Sequence, residues 1–176
     1  MRTLLLSILA TASIASAQDN PFSDYNKSVY KGVKDIILRS AEKMPEANYS
    51  YKPTDEVRSF GQIVGHIADA QYLLCSMALG EKNPAPGIEK TKTSKAELIA
   101  GVKEAFAYCD KAYDGMTDAA GAQTVKLFGG DTPKLGVLGV NNLHTIEHYG
   151  NLVTYMRLKN IVPPSSEPGS TPQAKK

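Results

Sequence analysis

Tryptophan is absent from this 176-residue sequence, and phenylalanine occurs only four times. Few side chains are therefore available as platforms on which nucleic-acid bases could stack. An excess of charge of one sign is also lacking, because 20 Lys and Arg residues stand against 18 Asp and Glu residues. The charges are interspersed along the chain, and nothing resembles the basic face of a nucleic-acid-binding protein. We therefore expect no nucleic-acid partner.

Cysteine is scarce, since Cys75 and Cys109 are the only two in the chain. They form no C-x-x-C redox motif, and two cysteines do not make a disulfide scaffold. A bridge between them requires that the helices carrying them run parallel, because antiparallel helices would separate their Cα atoms far beyond the limit of roughly 7 Å. We favour two separate buried thiols, with the disulfide as the alternative.

Long apolar runs are missing after the N-terminus, so no later segment has the length of a transmembrane helix. The first 17 residues have the three parts of a signal peptide, namely Arg2, a short apolar run over residues 4–14, and the cleavage signal Ala15-Ser16-Ala17. We expect a mature chain that begins at Gln18 and is secreted or periplasmic. Membrane insertion after cleavage is not expected.

The rest of the chain predicts four helices, because its apolar residues recur at helical spacing. Their approximate ranges are 24–44, 59–80, 94–114 and 135–160. Ser59 with Gln62, and Ser94 with Glu97, have the spacing of capping boxes at the starts of the second and third helices. Ser23 is the predicted N-cap of the first helix.

The connections between these helices are long. Fourteen residues join the second helix to the third, and such a link can reach about 45 Å, more than the roughly 30 Å length of a twenty-residue helix. Residues 116–133 are predicted to be a loop in which only 124–128 are candidates for extended structure. Residues 163–176 have the composition of a disordered tail. The predicted fold is all-α, a four-helix bundle with long crossover connections over residues 18–162.

Only three histidines occur, and two of them, His144 and His148, lie four residues apart in the fourth predicted helix. That spacing places both imidazoles on one helix face. The pair alone is a weak signal, because a histidine on a partly apolar face is more often an ordinary core or surface residue. His66 lies in the middle of the second predicted helix, which is able to face the pair. Three imidazoles leave a tetrahedral ion one open position, the arrangement of catalytic zinc.

The expected cofactor is one divalent transition metal, with zinc or nickel favoured, although the same ligands also accept copper, cobalt or ferrous iron.

Glu147 does not complete an H-E-x-x-H motif, since it precedes the second histidine instead of following the first. It is therefore not a natural catalytic base. Asn141 and Asn151 share the histidine stripe and are candidates to orient the ligands, with ordinary surface asparagines as the alternative.

The segment RSFGQIVGHIADAQYL around His66, together with HTIEHYGNLVTYMRLKNIVPPSS around His144 and His148, resembles the DinB family of four-helix-bundle metalloenzymes. The resemblance covers most of the mature chain. It implies that His66, His144 and His148 are the ligands of one metal ion. It also implies that the middle two helices run parallel, which gives an up-down-down-up bundle.

Related families with the same bundle include metal-dependent thiol S-transferases and a thiol-dependent maleylpyruvate isomerase. The resemblance thus implies a metal-dependent hydrolase or a thiol S-transferase-like enzyme that acts on a small-molecule substrate. Water is the more accessible cosubstrate for an exported protein. The alternative is a non-catalytic bundle that binds a metal or another ligand. A homodimer is left open, and no catalytic residue beyond the ligands is predicted.

Overall fold

The structure, a computed structural model, describes residues 19–168. The predicted signal peptide and the last eight residues of the chain lie outside that range. The four predicted long helices are confirmed, and two single-turn helices and a hairpin lie in their connections. The elements are α1 (Pro21–Lys43), α2 (Phe60–Leu79), α3 (Ile88–Thr91), α4 (Lys95–Asp114), α5 (Asp118–Gly121), β1 (Thr124–Leu127), β2 (Gly130–Pro133) and α6 (Lys134–Leu158).

The long helices form the predicted up-down-down-up bundle. Helices α2 and α4 run parallel, since Leu98 near the start of α4 packs beside Gly61 near the start of α2. Helix α1 is antiparallel to α4, because Lys34 pairs with Asp110 while Glu42, further along α1, pairs with Lys103. Helix α6 is antiparallel to α2. The Tyr155 hydroxyl near the end of α6 donates to the Arg58 carbonyl just before α2, whereas Asn141, nearer the start of α6, donates to Gln71 further along α2. The all-α bundle with long crossover connections is therefore confirmed.

The core lies between these four helices, where each contributes an apolar face. Its largest fully buried side chains include Ile37 and Met44, Phe60 and Ile67, Leu98 and Phe106, and Leu138, Leu152 and Met156. Among residues 19–168, no helix combines the length and the apolar character that crossing a membrane requires.

Both predicted capping boxes are confirmed. The Ser59 hydroxyl accepts from the Gln62 N–H and the Ser94 hydroxyl from the Glu97 N–H. The N-cap assigned to Ser23 is wrong, because α1 begins at Pro21, three residues before the predicted start, and its N-cap is Asn20. Ser23 instead donates its backbone N–H, at 2.7 Å, and its hydroxyl, at 2.8 Å, to the carboxylate of Asp118. An acidic side chain that is distant in the sequence thus accepts hydrogen bonds from the first turn of α1, and local sequence cannot reveal such a partner.

The predicted loop over residues 116–133 holds more structure than expected. Helix α5 lies at its start, and β1 pairs antiparallel with β2 in the register Thr124 to Pro133 through Leu127 to Gly130. The two residues of the turn, Phe128 and Gly129, have φ values of 49° and 88°. Such values are typical of the turns that match the twist of a tight hairpin, but a phenylalanine in this position is unusual.

The preference for two separate thiols is wrong. Cys75 and Cys109 form a disulfide, with Cα atoms 5.4 Å apart. Because α2 and α4 run parallel, the two cysteines lie at the same level of the bundle, and the alternative that depended on this orientation is the one observed.

The predicted tail is docked over its first residues. Pro163 and Pro164 are buried, and the Ser165 N–H donates to the Tyr149 hydroxyl at 2.9 Å. Glu167 pairs with Lys43 and with Arg39 of α1. Residues 163–168 therefore lie against the bundle, although their composition predicts disorder.

Candidate metal centre

The structure brings all three histidines of the chain together between α2 and α6. Nε2 of His144 lies 3.1 Å from Nε2 of His66 and 3.1 Å from Nε2 of His148. A tetrahedral ion with bonds of about 2.0–2.1 Å to nitrogen holds its ligand atoms about 3.3 Å apart, so the observed separations fit one shared ion. Among residues 19–168, no Cys, Asp or Glu joins this set of converging donor atoms. That these histidines bind a metal stays a prediction, although their geometry fits one.

The hydrogen-bonding capacity of the three ring nitrogens also favours a shared metal ion. A neutral imidazole nitrogen carries either one proton or one lone pair in the ring plane, so Nε2 of His144 can make one well-directed hydrogen bond. It nevertheless lies against two other ring nitrogens. At least one of these contacts is left without a hydrogen bond. A shared cation would satisfy three converging lone pairs at once, which hydrogen bonds between the rings cannot do.

The ring of His66 is oriented by Glu89, which the sequence interpretation missed. Nδ1 of His66 lies 3.0 Å from Oε2 of Glu89, and Arg58 donates to the other carboxylate oxygen at 2.8 Å. Desolvation opposes ionisation of Glu89, but the hydrogen bonds and charges of Arg58 and His66 outweigh it and hold the pKa of Glu89 below its usual value. An ionised carboxylate accepts a hydrogen bond from the Nδ1–H group of His66, and this tautomer leaves the Nε2 lone pair free to bind a metal.

Glu89 reaches this place because α3 packs closely against α2. A Cβ atom added at Gly65 would meet the Cα atom of Glu89 at 2.7 Å, so only glycine permits the approach. One turn further along α2, the carboxylate of Asp69 accepts the backbone N–H groups of Gly87, Ile88 and Glu89 at 2.7–3.0 Å. Residues 65–69, little more than one turn of α2, thus supply the close contact, the histidine and the anchor for Glu89.

His148 has a different neighbour. Its Nδ1 lies 3.3 Å from the amide nitrogen of Asn151, one turn further along α6. A His148 that offers its Nε2 lone pair carries its proton on Nδ1, and Asn151 must then turn its amide to accept that proton. The expectation that Asn151 orients a ligand is consistent with this contact. Nδ1 of His144 is buried and has no hydrogen-bond partner among the described residues.

Two other candidates lie away from the histidines. Asn141 is fully buried below the site, where its amide donates to Gln71 at 2.9 Å and to the Tyr113 hydroxyl at 3.1 Å. Its predicted role in orienting the ligands is wrong, since it belongs to the polar contacts around the disulfide. Glu147 is exposed, as expected of a residue turned away from His148.

Burial favours the neutral form of the paired imidazoles. Desolvation, with smaller contributions from His144 and His66, lowers the pKa of His148 to about 4. Desolvation and the charge of His66 also lower the pKa of His144, against the opposing effect of Glu147. Neutral imidazoles are the form that binds metal ions.

Among residues 19–168, two clefts are lined by the histidines. The apolar cleft, with a volume of about 680 Å³, is bounded by His66 and His144 and includes Ala70, Leu73, Leu74, Phe128 and Val140 in its lining. The polar cleft, of about 600 Å³, is bounded by His148 and includes Arg58, Glu89 and Asn151. A small molecule therefore has room to approach the converging nitrogens.

Comparison with known proteins now identifies the family. The sequence model of the DinB superfamily matches residues 31–152 of this chain. The chain belongs to the DinB superfamily. Its similarity to this family, expected from the segments around the three histidines, is thus confirmed.

Individual DinB-like proteins agree with this assignment. The uncharacterised protein YjoA of Bacillus subtilis is 27% identical over 127 residues, which are 70% of this chain and 82% of YjoA. The crystal structure of YjoA superposes with a TM-score of 0.67 at 22% identity, over 85% of this chain and 99% of YjoA. A DinB-like protein from Bacillus cereus gives a TM-score of 0.72 at 15% identity, over 80% of this chain and 95% of that protein. These structural similarities establish the fold.

Proposed function

We propose that this DinB-superfamily protein binds one divalent transition metal through His66, His144 and His148, and that it catalyses hydrolysis or thiol transfer on a small molecule. The observation that carries the proposal is the convergence of three Nε2 atoms, two of them 3.1 Å from the third. Zinc and nickel are the ions that we favour, since imidazole ligands suit both. Export through the N-terminal signal peptide is part of the same proposal and makes water the preferred cosubstrate.

The bound ion would supply Lewis-acid chemistry and lower the pKa of a coordinated water towards neutrality. The chain's own residues prepare the site. Glu89 accepts a hydrogen bond from the Nδ1–H group of His66, and Asn151 is within reach of Nδ1 of His148. Two of the three rings therefore have a partner that can fix their tautomer. The positive charge of Arg58 balances that of the Glu89 carboxylate and keeps this carboxylate ionised. Burial holds His144 and His148 neutral.

Activation of the cosubstrate would fall to the ion because Glu89, Asp69 and Glu147 are otherwise engaged. Glu89 is bound to Arg58 and His66, Asp69 holds the N–H groups at the start of α3, and Glu147 faces solvent. None of these three is placed as a free general base beside the converging nitrogens.

Spectroscopy on Co²⁺-loaded protein tests the proposal. Visible absorption of the tag-free protein should show one tetrahedral site that saturates at one equivalent, and azide should change the spectrum by entering the open position. Protein with His144→Ala and His148→Ala should show neither signal, whereas Glu147→Gln, an exposed change in the same turn, should behave as wild type. A spectrum that does not respond to azide would favour the non-catalytic metal-binding alternative. Absence of a tetrahedral Co²⁺ spectrum in wild type would contradict the proposal.

A further inference from the structure

The lining of the apolar cleft beside the histidines includes an exposed phenylalanine. Phe128 lines it from the turn between β1 and β2, yet its side chain remains 79% exposed. The large apolar ring therefore covers one side of the cleft without being covered itself. Leu73 and Val140, on the helices that carry the histidines, line the same cleft.

The backbone conformation of Phe128 adds a second observation. Its φ of 49° lies in the left-handed region, which glycine or asparagine adopts at much lower cost than phenylalanine. The turn itself therefore gains nothing from this side chain, and neither does the core. Strained residues of this kind occur where a ligand is held, because the contact with the ligand compensates for the strain.

From this geometry we infer that the apolar cleft binds the apolar part of the substrate, with Phe128 as a residue that determines specificity. The substrate class is a small molecule in which a metal-binding carbonyl or thiol group carries an alkyl or aryl substituent. His66 and His144 line the same cleft, so the polar group of such a molecule reaches the converging nitrogens while its apolar substituent lies between Leu73, Val140 and Phe128. The inference rests on the proposed metal site.

A series of alkyl hydroxamates tests it on the tag-free, zinc-loaded protein by calorimetry. Acetohydroxamate probes the open metal position alone, and butano-, hexano- and octanohydroxamate extend the apolar chain from the same head group. Each added methylene that becomes buried should tighten binding by about fourfold until the cleft is filled.

Phe128→Gly should reduce the gain with chain length far more than it changes the affinity for acetohydroxamate, while its Tm equals or exceeds that of wild type because glycine adopts the positive φ freely. Leu73→Gln, a change to another residue of the cleft lining, should weaken the binding of the long-chain probes in the same way. Phe22→Ala, a change to another exposed phenylalanine (72%) that does not line the cleft, is the matched control and should change neither affinity nor chain-length dependence.

The outcomes separate this inference from the proposed function. If acetohydroxamate fails to bind the zinc-loaded wild type, the proposed open position on the metal is contradicted, and this inference is contradicted with it. If acetohydroxamate binds but longer chains bind no better, or Phe128→Gly keeps the full chain-length dependence, only the inference is overturned. A dimer of the wild type that Phe128→Gly dissociates would also overturn it, because a second copy would then be what covers the ring.

Discussion

Oε2 of Glu89 lies 3.0 Å from Nδ1 of His66, although the two residues are 23 positions apart in the chain. This contact links the long connection after α2 to the histidine site. The spacing of the histidines does not predict this contact, which gives the site an ionised carboxylate partner.

Removing the Glu89 carboxylate should weaken metal binding. Glu89→Leu takes away the acceptor for Nδ1 of His66, and loss of such a partner typically lowers metal affinity by about 10–100-fold. Glu89→Gln retains an acceptor oxygen without the charge and should lose less. Competition with a fluorescent zinc chelator measures both, and Glu147→Gln is the control that should match wild type. Equal affinities for Glu89→Leu and wild type would show that Glu89 does not orient His66.

Gly65→Ala should disturb the site through the backbone. The new methyl group would lie 2.7 Å from the Cα atom of Glu89, so α3 must move away. We expect a loss of about 1–3 kcal/mol in the free energy of unfolding, together with weaker zinc binding. The matched control is Gly32→Ala in α1, where an added Cβ meets nothing within 4 Å.

In Gly32→Ala the free energy of unfolding should rise by about 0.5–1 kcal/mol because alanine favours the helix, and zinc affinity should not change. Urea unfolding and chelator competition on the two variants provide the comparison. A Gly65→Ala protein as stable and as tight in zinc binding as wild type would mean that the close approach of α3 is not required.

Asn151 should act as an acceptor when the metal is bound. Asn151→Leu removes the partner of Nδ1 of His148 and should lower zinc affinity by about tenfold. Asn151→Asp can only accept from a ring nitrogen that carries the proton, so it should bind zinc at least as tightly as wild type. The order of the three dissociation constants is the readout. Weaker binding by Asn151→Asp than by Asn151→Leu would contradict the assigned role.

The disulfide should contribute substantially to stability. It closes a loop of 34 residues, for which the chain-entropy model gives about 3–4 kcal/mol. A Cys75→Ala, Cys109→Ala protein should therefore unfold at a clearly lower urea concentration than wild type. Thiol titration of unreduced wild type in denaturant should find no free thiol, and two free thiols would show that the bridge does not form.

The sequence predicted much of the fold because the signals for the long helices are local. Gln62 and Glu97 complete their capping boxes three residues after the serine, and apolar spacing sets the buried faces. The cap of α1 and the pairing of the cysteines depend on contacts between distant segments. Asp118 is 95 residues from Ser23, so no local pattern connects them.

The same distinction holds at the site. The pair His144 and His148 is visible in the sequence because helical spacing is local, and His66 could be added because no other histidine exists. Glu89 could not be distinguished from Glu81, the other acidic residue of its connection, since its role follows from the close packing of Gly65 and the anchor at Asp69. Residues 124–128 are candidates for extended structure and β1 lies there, but β2 is short and polar, so the pattern predicts neither the hairpin nor the contact of Phe128 with the cleft.

Elemental analysis of protein purified without a histidine tag tests the central claim most directly. All three histidines of the chain lie in the proposed site, so no other imidazole competes for the ion. After zinc loading and gel filtration, wild type should retain about one equivalent, and the His144→Ala, His148→Ala protein should retain none. Chelation should also lower the Tm of wild type and leave that of the double variant unchanged. A wild type that holds no more metal than the double variant would contradict the account.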